Sequence, residues 1–427
     1  MEGVKRRHDL NAGECENGVH ALRFKGSSKR FGAGHLGHVA VFLSDSDVGQ
    51  RHCRARIGVP GSRLRRAVQS ATVGRPIRKK RKLLLGSYPA NKGLPAGKLP
   101  SELLSRLLAK IQRDDPRVIV GPGVGEDAAF VDFSETLLVA KSDPVTFATD
   151  LVGWYTVQVN ANDIACCGAI PKWFLGTALL PVGTTPDEVE AIFDQISEAC
   201  DELGVTMIGG HTEMTLDLPR PIVAGTMLGE VAKGDEVTTA GARPGDGVIL
   251  TKGIAIEGTS LLAREMRPQL ERAGVGVDVI DRAANYLYKP GISVVPEARV
   301  AHAAGGVTSM HDPTEGGLAT ALAEVATASG TGIAVVADAI PVLPEAAELC
   351  AALDVDPWGL ISSGALLITA EAESVDGVMD ALTGAGVVAS VIGDIRPPEE
   401  GLTVRSGGAE TPLPTFNRDE MARVLGE

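Results

Sequence analysis

The stretch at residues 151–208, LVGWYTVQVNANDIACCGAIPKWFLGTALLPVGTTPDEVEAIFDQISEACDELGVTMI, decides the fold. It reads as a helix over about 151–167, a strand over 173–180, a second helix over 185–203 and a strand over 205–208. The second helix carries the strongest signals. Thr185 and Glu188 form a capping box, Pro186 takes the first helical position, and Val189, Ile192, Ile196, Ala199 and Leu203 make one apolar stripe. Gly204 stops it. Single helices alternating with single strands predict an α/β or α+β architecture.

Working upstream, Leu103, Leu104, Leu107, Leu108 and Ile111 follow a helical period behind Ser101 as cap, and strand-like runs occur at 117–120, 128–131 and 137–140. Downstream lies a strand over 222–231 and then a turn-rich link, GARPGDG at 241–247. A second half follows, with strands at 248–251, 332–336 and 365–369 and helices near 258–265, 315–329 and 374–382. The pattern predicts two domains, 99–235 and 244–396, and a Pro/Gly-rich peripheral tail at 397–427.

The 427 residues hold 41 Lys plus Arg against 54 Asp plus Glu, a net charge of −13, with 44% hydrophobic residues. That composition excludes disordered, collagen-like and disulfide-stapled classes. The average hides two polypeptides. Residues 1–98 carry 21 basic and 6 acidic residues, a net +15, and the remainder a net −28. The body therefore does not grip nucleic acid by charge. The first segment cannot bury enough apolar surface to fold and reads as a disordered basic extension. Its run Arg78-Lys79-Lys80-Arg81-Lys82 matches a localisation or nucleic-acid patch, and a mis-assigned start, with translation beginning near Leu94, accounts for the composition equally well. Gly32, Gly34 and Gly37 match GxGxxG but lack the strand before and helix after that a dinucleotide site needs.

Six cysteines, at 15, 53, 166, 167, 200 and 350, show no CxxC spacing, so neither a disulfide framework nor a structural zinc site is expected and the cytoplasm is the expected compartment. Cys166 and Cys167 read as small buried helix residues, with a redox pair as the alternative. No apolar run approaches the ~20 residues of a membrane span, and no secretory signal opens the chain.

Acidic residues gather at strand ends among glycines: Asp127 in Gly125-Glu126-Asp127-Ala128-Ala129, Asp143 after a strand, and Asn160 and Asp163 three apart on one helix. Gly209-Gly210-His211-Thr212 ends the short strand at 205–208. Singly each acid reads as a cap or turn residue; together they favour a metal-nucleotide site, in which Mg²⁺ sits between carboxylates and phosphates. Gly121, Gly123 and Gly125 would let backbone amides approach phosphate, and no Walker A motif is present to do so.

These motifs, in order, with Lys141-Ser142-Asp143, Gly168-Ala169, Pro171 and Asp312-Pro313-Thr314-Glu315-Gly316-Gly317-Leu318, resemble the aminoimidazole ribonucleotide (AIR) synthase superfamily. That group includes AIR synthase, thiamine-monophosphate kinase, selenophosphate synthetase and the hydrogenase expression/formation protein E, and the resemblance covers residues 97–396. It implies a two-domain PurM-like fold, an N-terminal domain forming a β-barrel interface across a homodimer, a C-terminal α/β domain, and Mg-ATP between them. It further implies Asp127, Asp143 and Asp163 as Mg²⁺ ligands, Asn160 as a supporting contact, and Gly209, Gly210, His211 and Thr212 as a phosphate neighbour. Asp312, Thr314, Gly316 and Gly317 would form a loop closing on substrate. The shared chemistry is ATP-dependent phosphoryl transfer to an amide or carbonyl oxygen or a phosphate acceptor.

Asp312 to Leu318 and Ser363-Gly364-Ala365-Leu366-Leu367 look most like the hydrogenase-maturation dehydratase branch. That branch ends in a Pro-Arg-Ile-Cys tail, whereas this chain ends Arg423-Val424-Leu425-Gly426-Glu427, so chemistry on its own terminal thiol is not expected. His211 replaces a branch Asp, which removes one expected carboxylate. Lys252, near Glu257, is a candidate for stabilising transferring phosphoryl charge, with a surface lysine as the alternative. His311, beside Asp312, is the acid/base candidate, and His302 reads as structural. The rival readings are a small-molecule kinase and a non-catalytic ATP-binding maturation factor. Expected partners are ATP, an acceptor, a second copy and a maturation partner protein, without membrane and, for the body, without nucleic acid.

Overall fold

One face of the first sheet packs on two helices while its other face keeps half-exposed leucines. The computed structural model describes residues 98–110 and 115–426. The basic segment through residue 97, with its glycine triplet, the 78–82 run, Cys15 and Cys53, lies outside the described residues, as does Ile111. Helix α1 (Ser101–Leu108) precedes the strands β1 (Val118–Val120), β2 (Ala129–Phe133), β3 (Thr136–Val145), β4 (Ile170–Pro181), β5 (Thr206–Thr215) and β6 (Ile222–Ala232), ordered β1-β2-β3-β6-β4-β5. Pairing is antiparallel except between β4 and β5, whose parallel register requires a crossover helix. That helix is α3 (Pro186–Leu203), and its Thr185–Glu188 capping box forms as read.

Along β4 and β6 buried and half-buried residues alternate with the period of two. Phe174, Leu180, Val223 and Met227 join Val157, Ile164, Ile192 and Ile196 of α2 (Val152–Cys166) and α3 in one core. Every residue of α2 except Val159 is buried, the mark of a helix covered on all sides. Its second cover comes from the C-terminal half, where Asn162 donates to the Ile292 carbonyl and accepts from the Val294 amide, both at 2.8 Å.

The second sheet runs β13-β12-β9-β11-β7-β10-β8, from β7 (Gly247–Thr251), β8 (Val307–His311), β9 (Gly332–Val336), β10 (Leu367–Ala370), β11 (Ala389–Arg396), β12 (Leu402–Ser406) and β13 (Ala409–Pro412). Helices α4 (Ile256–Glu265), α5 (Arg267–Arg272), α6 (Val277–Ala284), α7 (Val295–Ala304), α8 (Gly317–Ser329), α9 (Pro344–Ala352), α10 (Val375–Gly384) and α11 (Glu420–Leu425) complete the half. The architecture is thus the mixed α/β fold expected, built on two sheets.

Four local readings change. Ser101 is the first residue of α1 rather than its cap; Pro100 precedes the helix and its carbonyl accepts from Leu104. Strand β5 runs on through residues 209–212 instead of ending before them. Gly210 permits this: a Cβ there would stand 2.0 Å from the Gly176 carbonyl oxygen, so the glycine serves close approach of β5 to β4. The segment 397–427 is not peripheral, because β12 pairs in parallel with β9 and Met421 is fully buried. Finally, α5, α6, α7 and α9 occupy a region in which no helix was expected.

Candidate active site

Loops and element ends from both halves converge on one cleft of about 530 Å³. Asp127 enters from the turn before β2, Asp143 from near the end of β3, and Asp163 from α2; Asp312, Thr314 and Gly316 come from the loop joining β8 to α8, and His311 ends β8. The turn carrying Asp127 passes over α8 at Gly125, which adopts φ 82° and where a Cβ would lie 2.7 Å from the Glu324 carbonyl oxygen.

Asn160 is a positioning residue. Fully buried, it accepts from the Asp143 amide at 2.9 Å and donates to the Asp143 carbonyl at 3.1 Å, which fixes the backbone that presents Asp143. Lys141 bridges the acids, 3.0 Å from Asp163 Oδ1 and 3.4 Å from Asp143 Oδ2. Burial opposes its charge, but Asp163, Asp143 and Asp127 together hold its ammonium well above the ordinary lysine value.

On the other wall His311 is clamped between carboxylates, Nδ1 2.5 Å from Asp127 Oδ1 and Nε2 3.0 Å from Glu324 Oε2. Burial alone would lower the imidazole, yet Asp127 and Glu324 outweigh it and raise its pKa well above the usual value. Glu324 is correspondingly held down at about 2, against the effect of burial, by Lys98 and His311. Asp312 is buried with the Asp127 charge beside it, and both push its carboxyl up to about 6. Its Oδ2 has no hydrogen-bond partner.

Several contributors carried no sequence signal. Lys98, assigned on composition to the basic extension, donates to Thr314 Oγ1 at 2.7 Å and lies within 3.7 Å of Glu315 and Glu324. Asp419, from the supposed tail, accepts from the Gly316 amide at 2.6 Å and from Met421 at 2.7 Å, and burial pushes its carboxyl up to about 7. Gly317, behind it, is packed under the Trp358 and Leu360 carbonyls. A small recess shares Asp143, Thr314 and Glu315 with the cleft and adds Glu257 and Ser363. Glu257, buried and with Oε2 unpartnered, has its pKa raised to about 8, so it keeps its proton at neutral pH.

Two groups of expected site residues are not brought here. Lys252 lines a separate cleft with Trp154 and Tyr286, and its ammonium is taken up by Glu297 at 2.7 Å and the Ser293 carbonyl at 2.7 Å. Gly209, Gly210, His211 and Thr212 sit on β5, the outermost strand of the first sheet, two strands beyond β3's neighbour β6, and His211 pairs with Glu213 at 3.2 Å. His302 Nε2 donates to the Asp235 carbonyl at 2.8 Å, a structural contact.

The donor set fits a hard cation. Asp127, Asp143, Asp163 and Asp312 offer carboxylate oxygens, Lys141 pairs with two of them and His311 with a third, and Asp312 Oδ2 is left without a partner. No helix among the described residues is long and apolar enough to cross a membrane.

Comparison with known proteins gives matches on both halves. The family model "AIR synthase related protein, N-terminal domain" matches residues 125–231 and "AIR synthase related protein, C-terminal domain" matches 243–405. The chain is 29% identical over 266 residues to the carbamoyl dehydratase HypE of Cupriavidus necator, covering 61% of this chain and 72% of that one. It is 31% identical over 193 residues to the thiamine-monophosphate kinase of Bacillus subtilis, covering 45% and 56%. Its fold is similar to a crystal structure of the hydrogenase maturation protein HypE in complex with ATP, with a TM-score of 0.58 at 21% identity, covering 77% of this chain and 98% of that one.

Proposed function

This protein belongs to the AIR synthase related family, and from that premise we propose that it is a cytoplasmic Mg-ATP-dependent enzyme that activates an amide or carbonyl oxygen by phosphoryl transfer. The observation that carries the reading is the convergence of Asp127, Asp143 and Asp163 from one half with Asp312, Thr314 and Gly316 from the other on a single cleft. The similarity to a carbamoyl dehydratase and to an ATP-bound maturation protein supports it.

In this reading Asp127, Asp143 and Asp163 would hold Mg²⁺, whose charge would offset that of a transferring phosphoryl group. Burial pushes the Asp163 and Asp143 carboxyls up, and Lys141 opposes that shift at both while aiming them at the cleft. Lys98 and Thr314 present a cation and a hydroxyl at the mouth, where phosphate oxygens would enter. Glu257, protonated at neutral pH, donates a hydrogen bond to the acceptor from the recess beyond Asp143. Positioning and charge neutralisation supply most of the rate in such transfers.

The test is product analysis with ATP, Mg²⁺ and two acceptor panels, amide- or carbamoyl-bearing compounds and phosphate monoesters. Turnover to ADP and inorganic phosphate with the first panel supports the proposal. A stable new phosphoanhydride from the second would replace it with a kinase, the reading favoured by the thiamine-monophosphate kinase match. ATP binding without turnover on either panel would replace it with an assembly factor acting on a maturation partner.

We further propose that the working unit is a homodimer. The sheet face away from α2 and α3 carries half-buried Leu138, Leu175, Leu179 and Leu228, and β5 leaves Met207, Ile208 and Met214 exposed on an open edge. Leu228→Asp is expected to convert a dimer to a monomer in analytical ultracentrifugation with its melting transition still cooperative. A wild-type chain that sediments as a monomer at micromolar concentration refutes this.

A further inference from the structure

The floor of the cleft holds a second type of donor set. Cys166, one turn along α2 from Asp163, is 1% exposed, and its sulfur lies 3.8 Å from Asp312 Oδ1. One donor atom from each of Asp127, Cys166 and Asp312 falls within 4.8 Å of the other two. Sulfur and oxygen donors on one tetrahedral cation, at about 2.3 and 2.1 Å, stand roughly 3.6 Å apart, so the Cys166–Asp312 spacing needs almost no rearrangement. The independent sign of a missing ligand is Asp312 Oδ2, unpartnered in a side chain that is 1% exposed. Asp127 is also built as a ligand would be, with Oδ1 bonded to His311 and Oδ2 accepting from Thr239 at 3.2 Å.

We propose that Cys166, Asp127 and Asp312 form a site for a thiophilic divalent cation of the zinc and cobalt class, with its remaining position open to water or substrate. A thiolate in the set selects such ions over Mg²⁺, which takes oxygen ligands. On binding, the S–H bond breaks, a sulfur–metal bond forms and the proton leaves to water. Because Asp127 and Asp312 also belong to the oxygen donor set of the cleft, a thiophilic ion and Mg²⁺ would compete for them. The inference rests on the three donors alone, and its failure leaves the nucleotide reading standing.

Cobalt titration of the metal-stripped full chain tests it, since Co²⁺ reports sulfur ligation by near-ultraviolet charge-transfer absorption whereas Zn²⁺ is spectroscopically silent. The wild type is expected to develop that band, Cys166→Ser to lose it and Cys167→Ser to keep it, because Cys167 is outside the donor set. Asp312→Asn and Thr239→Val are each expected to weaken Co²⁺ binding at least tenfold with the band retained at saturation, which keeps the test decisive even if Cys166→Ser fails to fold. Absence of the band in wild type, its persistence in Cys166→Ser, or unchanged affinity in both Asp312→Asn and Thr239→Val overturns the proposal.

Discussion

Asp143→Asn is expected to weaken Mg-ATP binding between tenfold and a hundredfold while leaving the melting temperature within about a degree of wild type. The affinity term follows from losing one charge-assisted contact to the cation, worth about 1.5–3 kcal/mol. Stability is spared because the Asp143 side chain is 41% exposed and its anchors to Asn160 are backbone groups that the substitution keeps. Lys141 also retains its closer partner, Asp163 at 3.0 Å. Calorimetric titration with ATP in the presence and absence of Mg²⁺, alongside a thermal melt, makes the measurement. Unchanged affinity removes Asp143 from the metal site.

His311→Ala has the opposite signature, a large loss of stability. The substitution leaves Asp127 and Glu324 buried without the cation between them, and stripping one partner from a buried ionic network costs about 3–5 kcal/mol. The pH dependence has a definite sign. The folded histidine pKa is raised above its ordinary 6.5, so its stabilisation is complete below 6.5 and is lost as pH rises through the folded value. Glu324 is lowered from 4.5 to about 2, so its share is complete above 4.5 and is lost as pH falls toward 2. The gap between wild type and His311→Ala in urea midpoint is therefore widest from about pH 4.5 to 6.5 and narrows on either side. A gap that widens steadily above pH 7 contradicts the clamp.

Much of this site was legible beforehand because its motifs are local. Asp127, Asp143, Asn160 and Asp163 lie within one short stretch of chain, and the glycine-rich turn and helix spacing that present them are properties of neighbouring residues. The loop from Asp312 to Gly317 was readable for the same reason. Lys98 was not: composition counts charge along the chain, and Lys98 belongs with the basic residues by number but with Thr314 and Glu324 in space. Asp419 was hidden among turn-forming residues that nothing local distinguishes from a loose tail. The glycines at 209 and 210 point to a general ambiguity, since a glycine that admits a phosphate and one that admits a neighbouring strand look alike until the pairing is known.

By itself, then, the sequence determined most element types of the N-terminal half and the acidic, glycine-flanked motifs, all of which depend on periodicities and spacings of a few residues. Tertiary structure alone decided which charges face one another. It set His311 between Asp127 and Glu324, sent Lys252 to Glu297, brought Asp419 back to Gly316 and placed the Cys166 sulfur against Asp312. Those contacts join residues from 13 to 184 positions apart, and the energy of a buried charge depends on its spatial neighbours rather than its sequence neighbours.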